Sequence, residues 1–164
     1  MTNVNDEMVW FVYKTILPAA FGLLPGQMSS REASAELLTI GLQESRFRYR
    51  KQIQGPAHGF WQFEEHGGIE GVLTHVSTRP VLLPILTTLN YKPNVRECYN
   101  AIVDNDVLAA IFARLLLWTV PGNLPRQNEP QKGWAQYREG WRPGKPHPET
   151  WDSLYSYAWS VVGR

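Results

Sequence analysis

Residues 29–47 have the sequence SSREASAELLTIGLQESRF, and this stretch decides the fold class. Ser29 followed by Glu32 has the spacing of a capping box, a pair of residues that starts a helix. Beyond it the residues that recur every three or four positions form the stripe of a core-facing helix; they are Ala33, Leu37, Ile40, Glu44 and Phe47. The sequence therefore predicts a helix that is buried along one side.

Glu44 is the one charged residue in this apolar stripe. Burial disfavours the charged form of a carboxyl group and can raise its pKa by several units. A carboxylic acid that keeps its proton near neutral pH can serve as a general acid. Glu44 is therefore the candidate catalytic residue. The alternative is that it lies at the end of the stripe and reaches solvent.

A second informative stretch is GPAHGFWQFE, residues 55–64. Its Gly and Pro residues break a helix, so the chain must turn back after Phe47. Three aromatic residues then surround the amide of Gln62. Aromatic rings stack on the C–H face of a sugar while an amide bonds its hydroxyl and N-acetyl groups, so this composition suits a sugar site. The alternative is that the aromatic residues fill the core.

Together the two stretches resemble a known family. Glu44-Ser45-Arg46-Phe47 and, fifteen positions after Glu44, Gly59-Phe60-Trp61-Gln62-Phe63 resemble the Glu-Ser-x-Phe … Gly-Leu-x-Gln-Phe signature of lytic transglycosylases in the lysozyme superfamily. AQYREG, residues 135–140, resembles the later Ala-x-Tyr-Asn-x-Gly block but has Arg138 in place of Asn. WRPGKPHP, residues 141–148, is similar to small bacteriophage lysozyme-like proteins. Residues 65–133 match nothing in the family.

The resemblance implies an all-α, single lysozyme-like domain over residues 1–164. It implies a peptidoglycan-degrading enzyme that cleaves the β-1,4 bond between N-acetylmuramic acid and N-acetylglucosamine, without a metal or another cofactor. Glu44 would be the general acid and base. Five substrate-binding residues are carried over from the family. Ser45 would bond to Glu44 or the substrate, and Phe60 and Trp61 would line the groove. Gln62 would hold an N-acetyl or hydroxyl group, and the Tyr137 hydroxyl would orient Glu44.

Two reaction types remain open under this resemblance. Lytic transglycosylation needs Glu44 alone and gives a 1,6-anhydro product. Lysozyme-type hydrolysis needs a second carboxylate, for which Glu64, Glu65 and Glu70 are candidates by proximity. Two other classes also remain, because fold does not fix function: a non-catalytic structural protein of a virion, and a chitinase-like glycosidase.

Composition agrees with one globular domain. The chain has 164 residues, 43% hydrophobic and 19% charged, and a net charge of +1, so it can bury a sizeable core and makes no strong electrostatic demand on a partner. Four cations lie within residues 46–51, among aromatic residues. They could bind nucleic acid or peptide carboxylates, or form a solvated helix end. Because no other part of the chain adds a matching excess of Lys and Arg, we expect no nucleic-acid partner.

Cysteine usage and the N-terminal region bear on localisation. Cys98 is alone, so no internal disulfide forms, and we expect it to be a small packed hydrophobe. Folding then needs no oxidising compartment, which favours a host cytoplasm, with the bacterial cell wall as the place of action. Asp6 and Glu7 precede any Lys or Arg, so we expect no signal peptide. The apolar run 8–24 is interrupted by Lys14 and predicts no membrane span. We expect a monomer.

The remaining elements follow from periodicity and helix breakers. We expect a helix over roughly residues 6–17, a bend near Pro18 and a short second piece ended by Pro25-Gly26. We also expect a central core helix capped by Asp104 or Asn105 and stopped by Pro121-Gly122. We expect a short β-hairpin near residues 65–80. In residues 71–91, Pro80 and Pro84 should break any long element.

The C-terminal third gives three further expectations. Residues 123–133 should form a loop, and residues 134–141 two helical turns with Trp134, Tyr137 and Trp141 on one face. A final helix should be capped by Thr150.

His75 has no partner at ligand spacing, so we expect no metal role for it.

Overall fold

The computed structural model describes residues 4–164, and these form one all-α domain, as expected. The α-helices are α1 (Asp6–Phe11), α2 (Leu17–Leu23), α3 (Arg31–Ser45), α4 (Glu70–Thr74), α5 (Arg79–Thr88), α6 (Val95–Asp104), α7 (Asp106–Trp118), α8 (Pro130–Trp141) and α9 (Pro148–Val162). Among residues 4–164, no helix is long and apolar enough to span a membrane.

Helix α3 forms where the sequence predicts it, but its ends differ by a residue or two. Ser30, not Ser29, is the N-cap, and its side chain accepts a hydrogen bond from the backbone N–H of Ala33. At the other end Arg46 is left-handed, so Phe47 lies beyond the helix. Phe47 is nevertheless buried, because the reversed chain turns its ring back onto the helix. The predicted stripe is buried, but the prediction of one buried side is wrong, because Ser34, Glu36 and Thr39 on the other side of the helix are buried as well.

The core is built around α3, α7 and α9. Helix α3 packs along α9, and α7 is buried along nearly its whole length, as predicted for the central helix. Asn105 caps α7 by accepting a hydrogen bond from the backbone N–H of Leu108. Cys98 is buried as a small hydrophobe, as expected. One continuous apolar cluster joins these helices, so a single core supports the site described below.

The N-terminal region has two helical pieces, as predicted, and the second ends at Leu23, just before Pro25-Gly26. The interruption lies before Pro18: a π-helical turn, Val12–Ile16, joins α1 to α2, and Pro18 lies in the first turn of α2. A proline has no N–H to donate and its ring crowds the carbonyl four residues earlier. The wider π turn makes room for that ring, so the helical path continues to Leu23.

The predicted hairpin near residues 65–80 is wrong. Those residues form a π-helical turn (Glu65–Ile69), α4 and the start of α5. Isolated antiparallel bridges occur earlier, from Lys51 to His58 and from His58 to Phe63. Helix α5 also continues through Pro84. We attribute this to the apolar face of α5, since its burial offsets the one missing hydrogen bond.

The C-terminal region contains more helix than predicted. Helix α8 begins at Pro130, inside the segment predicted as a loop, because proline suits the first turn of a helix. Helix α9 begins at Pro148 for the same reason. Thr150 is therefore not its cap, and its hydroxyl lies 3.0 Å from Gln43 Oε1 and from the His147 carbonyl oxygen. This contact fixes the start of α9 against α3.

Candidate active site

Glu44 lies in the last turn of α3 and is half-buried. The Tyr137 hydroxyl, on α8, donates a hydrogen bond of 2.6 Å to Glu44 Oε1. Burial raises the pKa of Glu44 from its ordinary 4.5 to about 7, and the bond from Tyr137 opposes part of that rise. At neutral pH the carboxyl group therefore exists in both protonation states. It can give a proton and take one back, as acid–base chemistry requires.

Tyr137 is held rigidly beside Glu44. Its ring stacks on Trp151, with 5.2 Å between the ring centres and 14° between the planes. Trp134 and Trp141 also contact it along α8, which confirms that these three side chains share one face. Burial and the neighbouring Glu44 raise the pKa of Tyr137. The tyrosine is therefore neutral and acts as a hydrogen-bond donor.

Three hydrogen bonds clamp residues 59–63 against the helices. The Ser45 hydroxyl donates to the Phe60 carbonyl oxygen at 2.6 Å. The Trp61 indole N–H donates to the Leu37 carbonyl oxygen at 2.8 Å, and the Trp141 indole N–H donates to the Trp61 carbonyl oxygen at 2.9 Å. Because these bonds reach both α3 and α8, the 59–63 segment has a fixed position beside Glu44.

The predicted substrate contacts of Ser45, Phe60 and Trp61 are wrong. All three residues are essentially inaccessible to solvent, so none can touch a ligand in the cleft. A buried hydroxyl or indole N–H needs a hydrogen-bond partner, and here Ser45 and Trp61 find theirs in backbone carbonyls. Phe60 packs edge-to-face on Phe47. These side chains support the site from beneath.

Gln62 is placed in the cleft, as predicted. Its backbone is left-handed, and its side-chain N–H donates to the Gly59 carbonyl oxygen at 2.8 Å. The cleft has a volume of about 570 Å³, which is within the range of ligand pockets. Its lining includes Glu44, Gln62, Phe63, Glu64, Tyr137 and Trp141, together with the 142–147 segment between α8 and α9. The structure thus brings Glu44, Gln62 and Tyr137 to one surface.

The three candidate second carboxylates have different surroundings. Glu64 is exposed and lines the same cleft as Glu44. Glu65 forms an ion pair with Arg96, with 2.9 Å between nitrogen and oxygen. Glu70 lies 3.5 Å from His66 Nδ1. Neither Glu65 nor Glu70 lines the cleft, so Glu64 is the acid available beside Glu44.

Sequence reasoning missed Tyr49, Arg142 and Lys145 as cleft residues. Tyr49 donates its hydroxyl to the Glu44 backbone carbonyl oxygen at 3.1 Å and so braces the end of α3. No periodicity marks it, because it follows a chain reversal. Arg142 and Lys145 belong to the proline-rich segment, whose resemblance to small phage proteins was the available signal. Gln43 fixes that segment by donating to the His147 carbonyl oxygen at 3.1 Å.

The basic run at residues 46–51 is partly structural. The Arg50 guanidinium binds both carboxylate oxygens of Asp106 at 2.8 Å and lies over the Phe60 ring. This contact joins the loop to the start of α7. For residues 4–164, no group of three or more His, Cys, Asp or Glu side chains could hold a metal ion.

Scans against protein-family models, curated proteins and solved structures found no match to this chain. The resemblance of residues 44–63 to lytic transglycosylases therefore remains a prediction from those residues. Function has to be argued from the cleft itself, from Glu44, Tyr137 and the groups around them.

Proposed function

We propose that the protein is a peptidoglycan-degrading glycosidase in which Glu44 is the general acid and base. The observation that carries this proposal is the half-buried Glu44 carboxyl group, which faces the cleft, has a pKa raised to about 7 and accepts a 2.6 Å hydrogen bond from Tyr137. The resemblance of residues 44–47 and 59–63 to the lytic transglycosylase signature supplies the substrate class. Its place of action would be the bacterial cell wall.

In the proposed reaction the protonated Glu44 gives its proton to the glycosidic oxygen, and the bond from that oxygen to C1 of the muramoyl unit breaks. The Glu44 carboxylate then takes the proton of the C6 hydroxyl as that oxygen closes on C1. Because the attacking hydroxyl belongs to the same sugar, its effective concentration is high and no second carboxylate is needed. We favour this route, which gives a 1,6-anhydro end.

The other residues of the cleft would bind and orient the substrate. Tyr137 keeps Oε1 of Glu44 occupied, so the transferable proton is carried by Oε2. The Gln62 amide offers a partner for an N-acetyl or hydroxyl group. Arg142 and Lys145 offer cations to carboxylates on the polymer's peptides.

Hydrolysis is the second candidate because Glu64 lines the same cleft. In that reaction Glu64 would position or activate a water molecule. The Glu64→Gln variant separates the two routes. Under transglycosylation it should cleave at nearly the wild-type rate, whereas under hydrolysis it should lose about 10²-fold or more.

The deciding experiment is mass spectrometry of the products from purified peptidoglycan. Anhydro ends support transglycosylation, and reducing ends support hydrolysis. Chitin oligosaccharides should be cleaved poorly; efficient cleavage of them alone would favour the chitinase-like alternative. No product from either polymer would contradict an enzymatic role and favour a structural one.

The matched variant is Glu44→Gln, which keeps the shape of the side chain but cannot transfer the proton. Cleavage should fall by about 10²–10⁴-fold, while the melting temperature stays the same or rises slightly because a poorly solvated acid is removed. If the variant keeps more than about half of the wild-type rate, the assignment of Glu44 as the general acid and base is wrong.

A further inference from the structure

A second cavity opens on another side of the molecule, beside the C-terminal end of α7. Its volume is about 860 Å³, and it shares no lining residue with the Glu44 cleft. Arg114, Trp118, Arg126 and Lys132 line it. The cavity is thus large enough for a small ligand, and it carries a concentration of cations that the proposed reaction does not use.

Arg114 is the unusual group in this cavity, because only 2% of the residue is exposed. Its Nε–H donates to the Met28 carbonyl oxygen at 2.7 Å. Among residues 4–164 no carboxylate lies within ion-pair distance of it. Burial lowers the pKa of Arg114 to about 10 with no carboxylate to oppose the change. A buried cation without a counter-charge is costly, so this guanidinium is a candidate for an anionic ligand.

The surroundings of Arg114 favour a ligand with a single negative charge. Glu32 and Glu129 also line the cavity, so its Arg, Lys and Glu side chains together carry a net charge of +1. The terminal nitrogens of Arg114 form no hydrogen bond to residues 4–164, and neither nitrogen is sealed from solvent, so both can donate to a bidentate acceptor in the cavity. A carboxylate matches both the charge and the geometry.

Trp118 adds an apolar contact to the same site. The Arg114 guanidinium lies over its ring, 5.5 Å from the ring centre, and the residue keeps 37% of its surface exposed. This cation–π contact holds the guanidinium beside the indole. The exposed face of the indole can then pack against the carbon skeleton of a ligand whose carboxylate is bound to Arg114.

We propose that this cavity is a binding site for a carboxylate-bearing small ligand, such as the free carboxyl end of a short peptide, with Arg114 as the carboxylate anchor. Trp118 contacts the ligand's apolar part. Arg126 and Lys132 attract the anion from the rim, where Arg126 is exposed and Lys132 pairs loosely with Glu129 at 3.9 Å.

The test is an NMR titration of the full chain that follows the Trp118 indole N–H, assigned with Trp118→Phe. The probes are N-acetyl-alanyl-alanine, the same dipeptide as its C-terminal amide, and inorganic phosphate. The free acid should give a saturable shift with a millimolar or tighter Kd, and the amide should bind at least about ten-fold more weakly, since a charged hydrogen bond is lost. Equal binding of acid and amide, tighter binding of phosphate, or no saturable shift would overturn the proposal.

Variants test the anchor and the rim separately. Arg114→Met should weaken binding of the acid by about ten-fold or more, whereas Lys132→Gln should weaken it about two- to five-fold. Lys92→Gln, an equal change of charge at an exposed position outside the cavity, should leave binding unchanged. If Arg114→Met does not fold, the Arg126→Gln/Lys132→Gln double variant is the test of the site. If that variant binds the free acid with wild-type affinity, the proposal is contradicted.

This site is independent of the function proposed for Glu44. Glu44→Gln should bind the dipeptide as the wild type does, because Glu44 does not line the cavity. A failure of either proposal therefore leaves the other standing.

Discussion

Burial and the hydrogen bond from Tyr137 together determine how the candidate acid Glu44 titrates. Burial raises the pKa of Glu44 to about 7, and the hydroxyl opposes that rise because it stabilises the carboxylate. The catalytic step needs the protonated form at its start. Activity should therefore fall as the pH rises through the pKa of Glu44, and a rate that climbs steadily from about pH 5 to 9 would contradict the buried-acid argument.

Tyr137→Phe tests this hydrogen bond directly. Loss of the donor removes a stabilisation of the carboxylate, so the pKa of Glu44 should rise further, by about one unit. The alkaline limb of kcat/KM should move to higher pH, and the same shift should appear in a ¹³C NMR titration of the Glu44 carboxyl group. Tyr155→Phe is the matched control, since that hydroxyl donates to the Arg126 carbonyl oxygen away from the cleft. A limb that stays in place or moves to lower pH in Tyr137→Phe would be evidence against this role.

At the scale of elements, the 59–63 segment divides into a buried part and a cleft part. Trp61 is buried and bonded to the Leu37 carbonyl oxygen, whereas Gln62 is half-exposed in the cleft. Trp61→Ala should cost about 3–5 kcal/mol of unfolding free energy. Gln62→Ala should lower cleavage while the melting temperature changes little. Thermal melts and cleavage rates of the two variants check the division, and a strongly destabilised Gln62→Ala would place that side chain in the core.

Helix α3 depends on a glycine that allows Phe47 to fold back onto it. A Cβ atom added at Gly41 would lie 2.2 Å from Cζ of Phe47, whose ring is held by Phe60 and Trp61 at 5.3 and 5.6 Å between ring centres. Gly41→Ala should therefore destabilise the protein by about 1–3 kcal/mol, although alanine favours helix. Gly22→Ala in α2 meets no atom within 4 Å and should stabilise by about 0.4–1 kcal/mol. Chemical denaturation of both variants measures the contrast, and equal effects would contradict it.

Local sequence rules explain which parts of the fold and site were predictable. The apolar spacing of α3 and α7 and the Asn105 cap depend on neighbouring residues, so they could be inferred. The path of the chain after Ser45 could not be inferred from local rules, because it depends on the packing of the Phe47 ring against Gly41. The role of Trp61 was predicted wrongly for a similar reason. An aromatic residue beside a glutamine can lie in a groove or in the core. The buried position is fixed by a hydrogen bond to the carbonyl oxygen of Leu37, which is distant in sequence.

At the scale of the whole molecule, the near-neutral net charge of +1 conceals ionisable groups that are buried without a counter-charge. Glu36 is fully buried, and both of its carboxylate oxygens lack a hydrogen-bond partner among residues 4–164. It lies where α3 meets α8 and α9, since a Cβ atom at Gly133 would be 2.8 Å from its Oε2 and 2.9 Å from Tyr155 Cε2. The core can therefore accept Glu36 in its protonated form far more readily than in its charged form.

The stability of the fold should consequently fall as the pH rises. Burial raises the pKa of Glu36 from 4.5 to about 8 in the folded protein, whereas the unfolded chain titrates near the ordinary value. Between these two pH values the folded state binds more protons, so the free energy of unfolding decreases with pH across that window. The decrease from pH 4.5 to 7 is on the order of 3 kcal/mol, and Glu44 adds a change of the same sign up to about pH 7.

Glu36→Gln removes the proton linkage at this position and keeps the size of the side chain. The variant should match the wild type near the ordinary pKa of the acid and exceed it by roughly 3 kcal/mol or more at pH 8, which urea denaturation at a series of pH values measures. Glu139→Gln, the same change at an exposed position, should follow the wild-type curve throughout. If the wild type becomes more stable between pH 5 and 8, or if Glu36→Gln shows the same pH dependence, then Glu36 is already ionised in the folded protein, and the core must open to water beside it.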